Sequence, residues 1–268
     1  IRLHTHHGDV VLAGQQAHIL RYEGGAASAL AGVQIATIGA GGLFGAADVR
    51  GAIVPDTNVH LAPTTLLAIE NTHNSSGGRV FPLEQIDAAT SIARAAGLAT
   101  HLDGARLFNA EIASGVPAAE WAQRFDTGAT CFSKGLGAPV GSALCGPRAA
   151  IDRARRLRKM LGGGMRQAGV LAAAAHFALD HHIARLTEDA AILTDGSALP
   201  ADLVVYATGY LPMNEWVAEI VSRQVADLIG PNWGYGSGTR GDPGPWEGEL
   251  RNMWKPLRQE ALWFHGGN

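Results

Sequence analysis

The sequence has little of three features that would define other classes of protein: cysteine, charge of one sign and long apolar runs. Its two cysteines, Cys131 and Cys145, are too few for a disulfide framework and lack zinc-ligand spacing, which predicts no metal site and favours a reducing, cytoplasmic location. A formal net charge of -3 provides no electrostatic surface for nucleic acid. No segment reaches the ~20 consecutive apolar residues of a membrane helix, so no membrane partner is predicted.

A signal peptide is also missing from the start of the chain, whose first residue is Ile rather than Met. We therefore expect the sequence to be a piece of a longer protein. Hydrophobic residues make up 47% of the 268 residues, which is enough to fill a core and excludes disorder over most of the chain.

Composition changes about two thirds of the way along the chain. Ten of the 11 histidines precede residue 190, whereas five of the six tryptophans follow it. A single domain seldom separates residue types so strongly, so we predict a boundary near Ala190, with one domain at 1–190 and a second, smaller α/β fragment at 191–268.

Residues 1–190 alternate short apolar runs with longer segments of helical periodicity, which predicts an α/β domain with a mainly parallel sheet. Ligands bind such sheets at the carboxyl ends of the strands. The predicted strands are Asp9–Ala13, Leu66–Glu70, Leu98–Asp103, Ala129–Ser133 and Gly141–Cys145, and the predicted helices are Leu83–Ala96, Pro147–Met160 and Met165–Leu179.

Lysine is scarce, with three residues against 18 arginines, and one lysine stands where a strand is predicted to end. Lys134 follows the apolar segment Ala129–Ser133 and precedes glycines that let a flat ligand approach the backbone. Partial burial there lowers the pKa of a lysine and makes its amine a nucleophile. An ordinary solvated lysine is the alternative interpretation.

An acidic residue ends the preceding predicted strand, where Asp103 is followed by Gly104, Ala105 and Arg106. Parallel neighbouring strands would place Asp103 and Lys134 side by side at one edge of the sheet. Pyridoxal phosphate requires this pair, since lysine binds its aldehyde and a carboxylate keeps its pyridine nitrogen protonated. A simple helix cap is the alternative for Asp103.

Five segments, in order, resemble the low-specificity L-threonine aldolases, which belong to the fold type I pyridoxal-phosphate enzymes with a three-layer large domain. The segments are Gly14–Gln34, Leu66–Ile86, His101–Ala110, Cys131–Gly146 and Arg158–Ala174. The resemblance implies an amino-acid substrate and a homo-oligomer, either dimer or tetramer. It also implies that the chain is truncated, because the amino-terminal arm, the phosphate-binding Ser/Gly/Thr loop and the small domain of the family are missing.

The resemblance also implies roles for individual residues. Lys134 would bond to the cofactor aldehyde and Asp103 would pair with the pyridine nitrogen. His18 would stack on the cofactor ring, Arg106 would bind the substrate carboxylate, and His73 would lie near the substrate hydroxyl.

Three further residues receive roles by the same resemblance. Glu70 would lie close to His73 in the substrate site, and Arg166 would help to bind the cofactor phosphate at a helix start. Glu23 is a weaker assignment. Without the resemblance, His18 and His73 could equally be core histidines or turn caps, and both cysteines are expected to be buried thiols.

The segment Val33–Gly45 looks like a strand that enters a dinucleotide-binding loop, but its third glycine is displaced. We interpret it as a connecting segment. Residues 191–268 resemble the carboxyl-terminal part of flavin-containing monooxygenases, without the glycine-rich FAD and NADPH motifs. Two incomplete, unrelated pieces suggest a chimera.

Retro-aldol cleavage of L-threonine or L-allo-threonine to glycine and acetaldehyde is the function that these patterns favour. Three alternatives stay open: a flavin- and NADPH-dependent monooxygenase, an inactive chimeric fragment, or a related fold type I aminotransferase or β-eliminating lyase. The sequence does not distinguish between the two threonine diastereomers.

Overall fold

The structure is a computed structural model that describes residues 1–188. The predicted boundary near Ala190 and the predicted flavin-monooxygenase-like segment 191–268 lie outside the described residues.

A six-stranded sheet forms the centre of the described part of the chain, in the order β2-β1-β3-β4-β5-β6. The first five strands in this order are parallel, and β6 runs antiparallel to β5. The prediction of a mainly parallel α/β sheet is therefore confirmed. The strands are β1 (Val10–Gly14), β2 (Gln34–Ile38), β3 (Thr64–Glu70), β4 (Ala99–Gly104), β5 (Thr127–Cys131) and β6 (Ser142–Cys145).

Helices follow most of the strands. They are α1 (His18–Arg21), α2 (Ala46–Ala52), α3 (Leu83–Ala95), α4 (Leu107–Ser114), α5 (Ala118–Ala122), α6 (Arg148–Met160) and α7 (Gly169–His181), with a π-helical turn at Ala27–Ala31 and 3-10 turns at Asn74–Ser76 and Ala184–Glu188. The predicted helix from Met165 begins instead at Gly169.

Apolar side chains cover both faces of the sheet because successive strand residues point to opposite sides. On one face, Leu67 and Leu102 pack with Phe81 and Trp121 from the helical side. On the other face, the buried residues are Val11, Leu66 and Ala68 of the strands and Ala27, Ala31 and Val33 of the segment before β2. Each fully buried large apolar side chain stabilises the fold by about 1.5–3 kcal/mol.

The sheet edges differ from expectation. The strand-like start of Val33–Gly45 is a real strand, β2, so this segment is more than a connection. Cys131 is half-buried and Cys145 is exposed, so the prediction of a buried thiol is wrong for Cys145, which lies on β6 at the end of the sheet order.

No helix in residues 1–188 is long and apolar enough to cross a membrane.

Candidate functional site

Four parallel strands, β1, β3, β4 and β5, end at the same edge of the sheet, which we call the rim. Glu70 ends β3 opposite Asp103 of β4 in the strand register. Lys134 follows three residues after the end of β5. The topology therefore brings an amine and two carboxylates to one edge, as the sequence predicts.

Asp103 has a pKa raised above its ordinary value. Burial is the main cause, and the negative charge of Glu70 adds to it. The N–H of Ala105 and the positive charges of Lys134 and His18 act in the opposite direction. Asp103 thus lies within electrostatic reach of both predicted cofactor partners, Lys134 and His18.

Glu70 is buried and holds two loops by their backbones. Its Oε2 accepts the backbone N–H of His18 at 2.8 Å, and its Oε1 accepts that of Asn74 at 2.9 Å. One carboxylate therefore joins the segment after β1 to the segment after β3. The predicted role of Glu70 in substrate binding stays a prediction, since both of its oxygens already accept hydrogen bonds.

His73 is 1% exposed and lies directly beside that carboxylate. Its Nε2 is 3.8 Å from Oε2 of Glu70 and has no hydrogen-bond partner within residues 1–188, whereas its Nδ1 is 3.0 Å from Oγ of Ser76. A buried imidazole nitrogen without a partner is costly unless a ligand or substrate uses it.

His18 begins the short helix α1 and is half-buried. Its Nδ1 is 2.9 Å from Oε1 of Glu23, so the weakly assigned Glu23 does contact a site residue. The His18 ring also lies 5.2 Å from the ring of Tyr22. The imidazole is thus held from one side by Glu23 and Tyr22.

Arg106 precedes α4 and is half-buried at the same rim. Burial lowers the pKa of its guanidinium, and electrostatic interactions with Glu70, Cys131 and Asp103 partly offset this effect. The guanidinium therefore lies near the carboxylates of Glu70 and Asp103, and an anionic substrate bound to Arg106 would lie near them too. Its predicted role toward the substrate carboxylate stays a prediction.

Arg166 is the one predicted site residue that the structure does not connect to the others. It is exposed, between α6 and α7. Within residues 1–188, no hydrogen bond or ion pair joins it to the rim. Its predicted role at the cofactor phosphate is therefore supported by the resemblance alone.

Sequence reasoning missed two residues that shape the site, Gly42 and Ser76. A Cβ at Gly42 would overlap the ring of His73, and a Cβ at Gly14, the last residue of β1, would overlap the carbonyl of Gly42. The glycine run that resembles a dinucleotide loop is therefore packing against the imidazole. The clustered glycines Gly39, Gly41 and Gly42, which adopt positive φ angles in the structure, were the signal available in the sequence.

The described residues fit pyridoxal phosphate. Asp103 lies on β4 and Lys134 follows the neighbouring parallel strand β5, and the half-buried His18 and the buried His73 lie in the segments after β1 and β3. Amine, carboxylate and imidazole are the groups that this cofactor requires for its aldehyde, its ring nitrogen and the substrate protons. We call Glu70, His73, Asp103, Arg106 and Lys134 the rim cluster.

The fold and the rim cluster define the chain as a fold type I enzyme of the pyridoxal-phosphate class. An aspartate aminotransferase from Thermus thermophilus has a similar fold, at 16% identity and with a TM-score of 0.54, over 70% of this chain and 50% of that one. The sequence profile of the Beta-eliminating lyase family matches residues 1–203. The chain belongs to the beta-eliminating lyase family.

Threonine aldolases are among its relatives. The low specificity L-threonine aldolase of Escherichia coli strain K12 is 46% identical over 188 residues, which cover 69% of this chain and 55% of that protein. Low-specificity L-threonine aldolase 1 of Arabidopsis thaliana is 42% identical over 195 residues, covering 70% of this chain and 54% of that protein.

A threonine aldolase of Leishmania major is similar in structure as well, at 26% identity and a TM-score of 0.61, over 69% of this chain and 54% of that one. The chain therefore spans about half the length of the curated relatives that it matches. These matches confirm the predicted fold class and the predicted relationship to threonine aldolases.

Proposed function

We propose that this chain supplies the cofactor-binding domain of a pyridoxal-phosphate lyase that cleaves the Cα–Cβ bond of L-threonine or L-allo-threonine, giving glycine and acetaldehyde. The relatives named above support the lyase class. One observation carries the proposal. The buried imidazole of His73, whose Nε2 has no hydrogen-bond partner in the described part of the chain, shares the rim with Lys134 and Asp103.

Pyridoxal phosphate, when bound, supplies an aldehyde for amines and a ring that withdraws electrons from the amino acid's Cα. Lys134 would hold that aldehyde and exchange it for the substrate amine. Asp103 would pair with the ring nitrogen, whose positive charge offsets the unfavourable burial of the carboxylate. Arg106 would bind the substrate carboxylate, which fixes the orientation of the Cα–Cβ bond.

Cleavage also requires that a proton leave the substrate β-hydroxyl. His73 would accept this proton at Nε2, and the neighbouring Glu70 carboxylate, 3.8 Å away, would stabilise the resulting imidazolium. His18 would stack on the cofactor ring, and the contacts of its imidazole with Glu23 and Tyr22 would hold it in position for this role.

The test begins with the purified full chain titrated with pyridoxal phosphate. We expect a visible absorption band that is absent in Lys134→Ala, and reduction with borohydride should fix the cofactor to the peptide that contains Lys134. Acetaldehyde and glycine should then form from L-threonine. No band in the parent chain would contradict the proposal and favour an inactive fragment.

The products separate the remaining alternatives within the class. A β-eliminating lyase would release ammonia and a keto acid from L-serine or L-threonine, and an aminotransferase would require a keto-acid acceptor. Either pattern without acetaldehyde would overturn the aldolase assignment. Rates measured side by side with L-threonine and with L-allo-threonine would establish which diastereomer the site prefers.

Assembly into a dimer or tetramer is part of the proposal. Large apolar side chains on and between α6 and α7 are exposed, which is costly for a monomer in water. They are Met160, Leu161, Met165, Val170 and Phe177. Light scattering of the purified chain should show a mass of at least twice 28.0 kDa, and a monomer would contradict this part of the proposal.

A further inference from the structure

The hydroxyl of Ser76 makes two contacts with the same residue. Its Oγ is 3.0 Å from Nδ1 of His73 and 3.2 Å from the backbone oxygen of His73. Ser76 ends the 3-10 turn Asn74–Ser76, which folds the hydroxyl back over the histidine. Both contacts are short enough to be hydrogen bonds.

One hydroxyl carries one proton, so the two contacts cannot both use Ser76 as donor. The backbone oxygen of His73 can only accept, and Ser76 must therefore donate to it. The second hydrogen bond then forms only if Nδ1 of His73 carries a proton and donates to Oγ. The neutral imidazole has one N–H, so Nε2 is left with its lone pair.

The surroundings of Nε2 agree with this assignment. The nearest charged group is the Glu70 carboxylate, at 3.8 Å, and its oxygens already accept the backbone N–H groups of His18 and Asn74. No hydrogen bond forms between Nε2 and any described residue. Gly42 packs so closely against the ring that a Cβ added there would overlap it.

We propose that Ser76 is a positioning residue that holds His73 in the tautomer protonated at Nδ1, so that Nε2 is the nitrogen that accepts the proton of the substrate. This inference rests on the proposed function and names the atom that performs its proton transfer. The substrate O–H bond breaks and an N–H bond forms at Nε2, while the electron pair left on oxygen becomes the second bond of the aldehyde C=O. The Cα–Cβ bond breaks in the same step, and its electron pair stays on Cα, which then takes up a proton from solvent to give glycine.

The direct test reads the tautomer without any cofactor. Long-range proton–nitrogen NMR spectra of the full chain, labelled with 15N-histidine, report which ring nitrogen is protonated, and His73→Gln assigns the signals. We expect the parent His73 to show a protonated Nδ1 and an unprotonated Nε2. A parent His73 protonated at Nε2 would overturn the inference, whatever the chain catalyses.

Three variants test the role of the hydroxyl. Ser76→Ala should convert the single tautomer into a mixture, whereas Ser76→Thr keeps a hydroxyl and should preserve it. Ser75→Ala is the matched control, because the Ser75 hydroxyl donates to the backbone oxygen of Gln16 at 3.0 Å and does not contact His73. An unchanged tautomer in Ser76→Ala would contradict the proposal.

Kinetics add a second readout that distinguishes this inference from the proposed function. With an active parent, Ser76→Ala should lower kcat about tenfold, the equivalent of one hydrogen bond, with KM nearly constant. Ser76→Thr should recover most of the loss. An inactive parent that shows the expected tautomer would contradict the proposed function, but it would still support the assignment of the His73 proton to Nδ1 rather than to Nε2.

Discussion

Two polar regions each include a residue of strand β4, and they differ in how their polar groups are satisfied. One is the rim cluster at the carboxyl end, which includes Asp103. The other is the histidine pair, His4 and His101, which meets at the hydroxyl of Thr127. His101 precedes Asp103 by two residues, so both side chains point to the same face of the sheet.

In the histidine pair, one ring nitrogen of each histidine has a hydrogen-bond partner within the fold. Nε2 of His4 and Nδ1 of His101 are each 2.7 Å from Oγ1 of Thr127. Burial lowers the pKa of His101 to about 3, with further lowering by the positive charge of His4. His101 is therefore neutral at physiological pH and serves packing.

The rim cluster is the opposite case. The pKa of the Asp103 carboxyl group is raised, and the Nε2 of His73 has no hydrogen-bond partner among the described residues. A histidine by itself therefore does not mark a site in this chain. A site in this chain is marked instead by an ionisable group whose charge or lone pair the fold leaves unsatisfied, because a ligand is then needed to satisfy that group.

The largest expected effect comes from Lys134→Ala at the rim. Removing the amine should lower acetaldehyde formation by at least about a thousandfold, because no other described group at the rim can replace the nucleophile. Stopped assays with excess enzyme measure the residual rate. Lys159→Ala, which changes an exposed lysine on α6, is the control and should keep parental activity.

Asp103→Asn should separate function from stability. Activity should fall about a hundredfold because the neutral amide cannot keep the cofactor nitrogen protonated. The cofactor-free chain should gain about 2 °C in thermal midpoint at pH 7, since the variant no longer buries a carboxylate.

The difference in stability between the Asp103→Asn variant and the parent should depend on pH. The folded chain holds the Asp103 proton more tightly than the unfolded chain, so the parent loses stability as the pH rises above the ordinary value of 3.8. The advantage of the variant should shrink as the pH falls through the raised pKa. A variant less stable than the parent at pH 7 would show that Asp103 is a structural acceptor.

Gly42→Ala tests whether the rim depends on a close backbone approach. The added methyl overlaps the His73 ring at a residue with φ of +85°, so the free energy of unfolding should fall by about 2 kcal/mol. Urea denaturation measures the loss. Gly51→Ala, in helix α2 with open space around it, should instead gain about 0.5–1 kcal/mol.

The smallest effect concerns the histidine pair. Because the pKa of His101 is about 3 in the folded chain and 6.5 when unfolded, the unfolded chain binds a proton first as the pH falls below 6.5. The free energy of unfolding should drop by about 1 kcal/mol from pH 6.5 to about pH 5.5. His101→Leu should remove this slope, whereas His60→Leu at an exposed residue should retain it.

Much of the sheet could be predicted from sequence because buried parallel strands are short apolar runs. The predicted strand Leu66–Glu70 and the predicted helix Leu83–Ala96 differ from the structure by one or two residues at their ends. The edge strand β2 buries only its last residue, Ile38, and its other four residues are exposed or half-buried, which weakened its apolar signal. The antiparallel direction of β6 depends on pairing across the sheet, which no local pattern encodes.

The meeting of Asp103 and Lys134 at the rim could be predicted because strand ends converge in any parallel sheet. The contribution of Gly42 and Ser76 could not, since each acts through the orientation of one imidazole. Tautomers depend on hydrogen-bond partners within a few ångströms, and a linear pattern does not specify them.

The carboxylate of Glu70 has a consequence for how this chain can change in length. It fixes the backbones at His18 and Asn74 at once, although 56 residues separate them along the chain. An insertion between β1 and His18 would pull on the same carboxylate as an insertion between β3 and Asn74. We therefore expect natural and engineered insertions to be tolerated on the far side of the sheet and to be excluded from these two short segments.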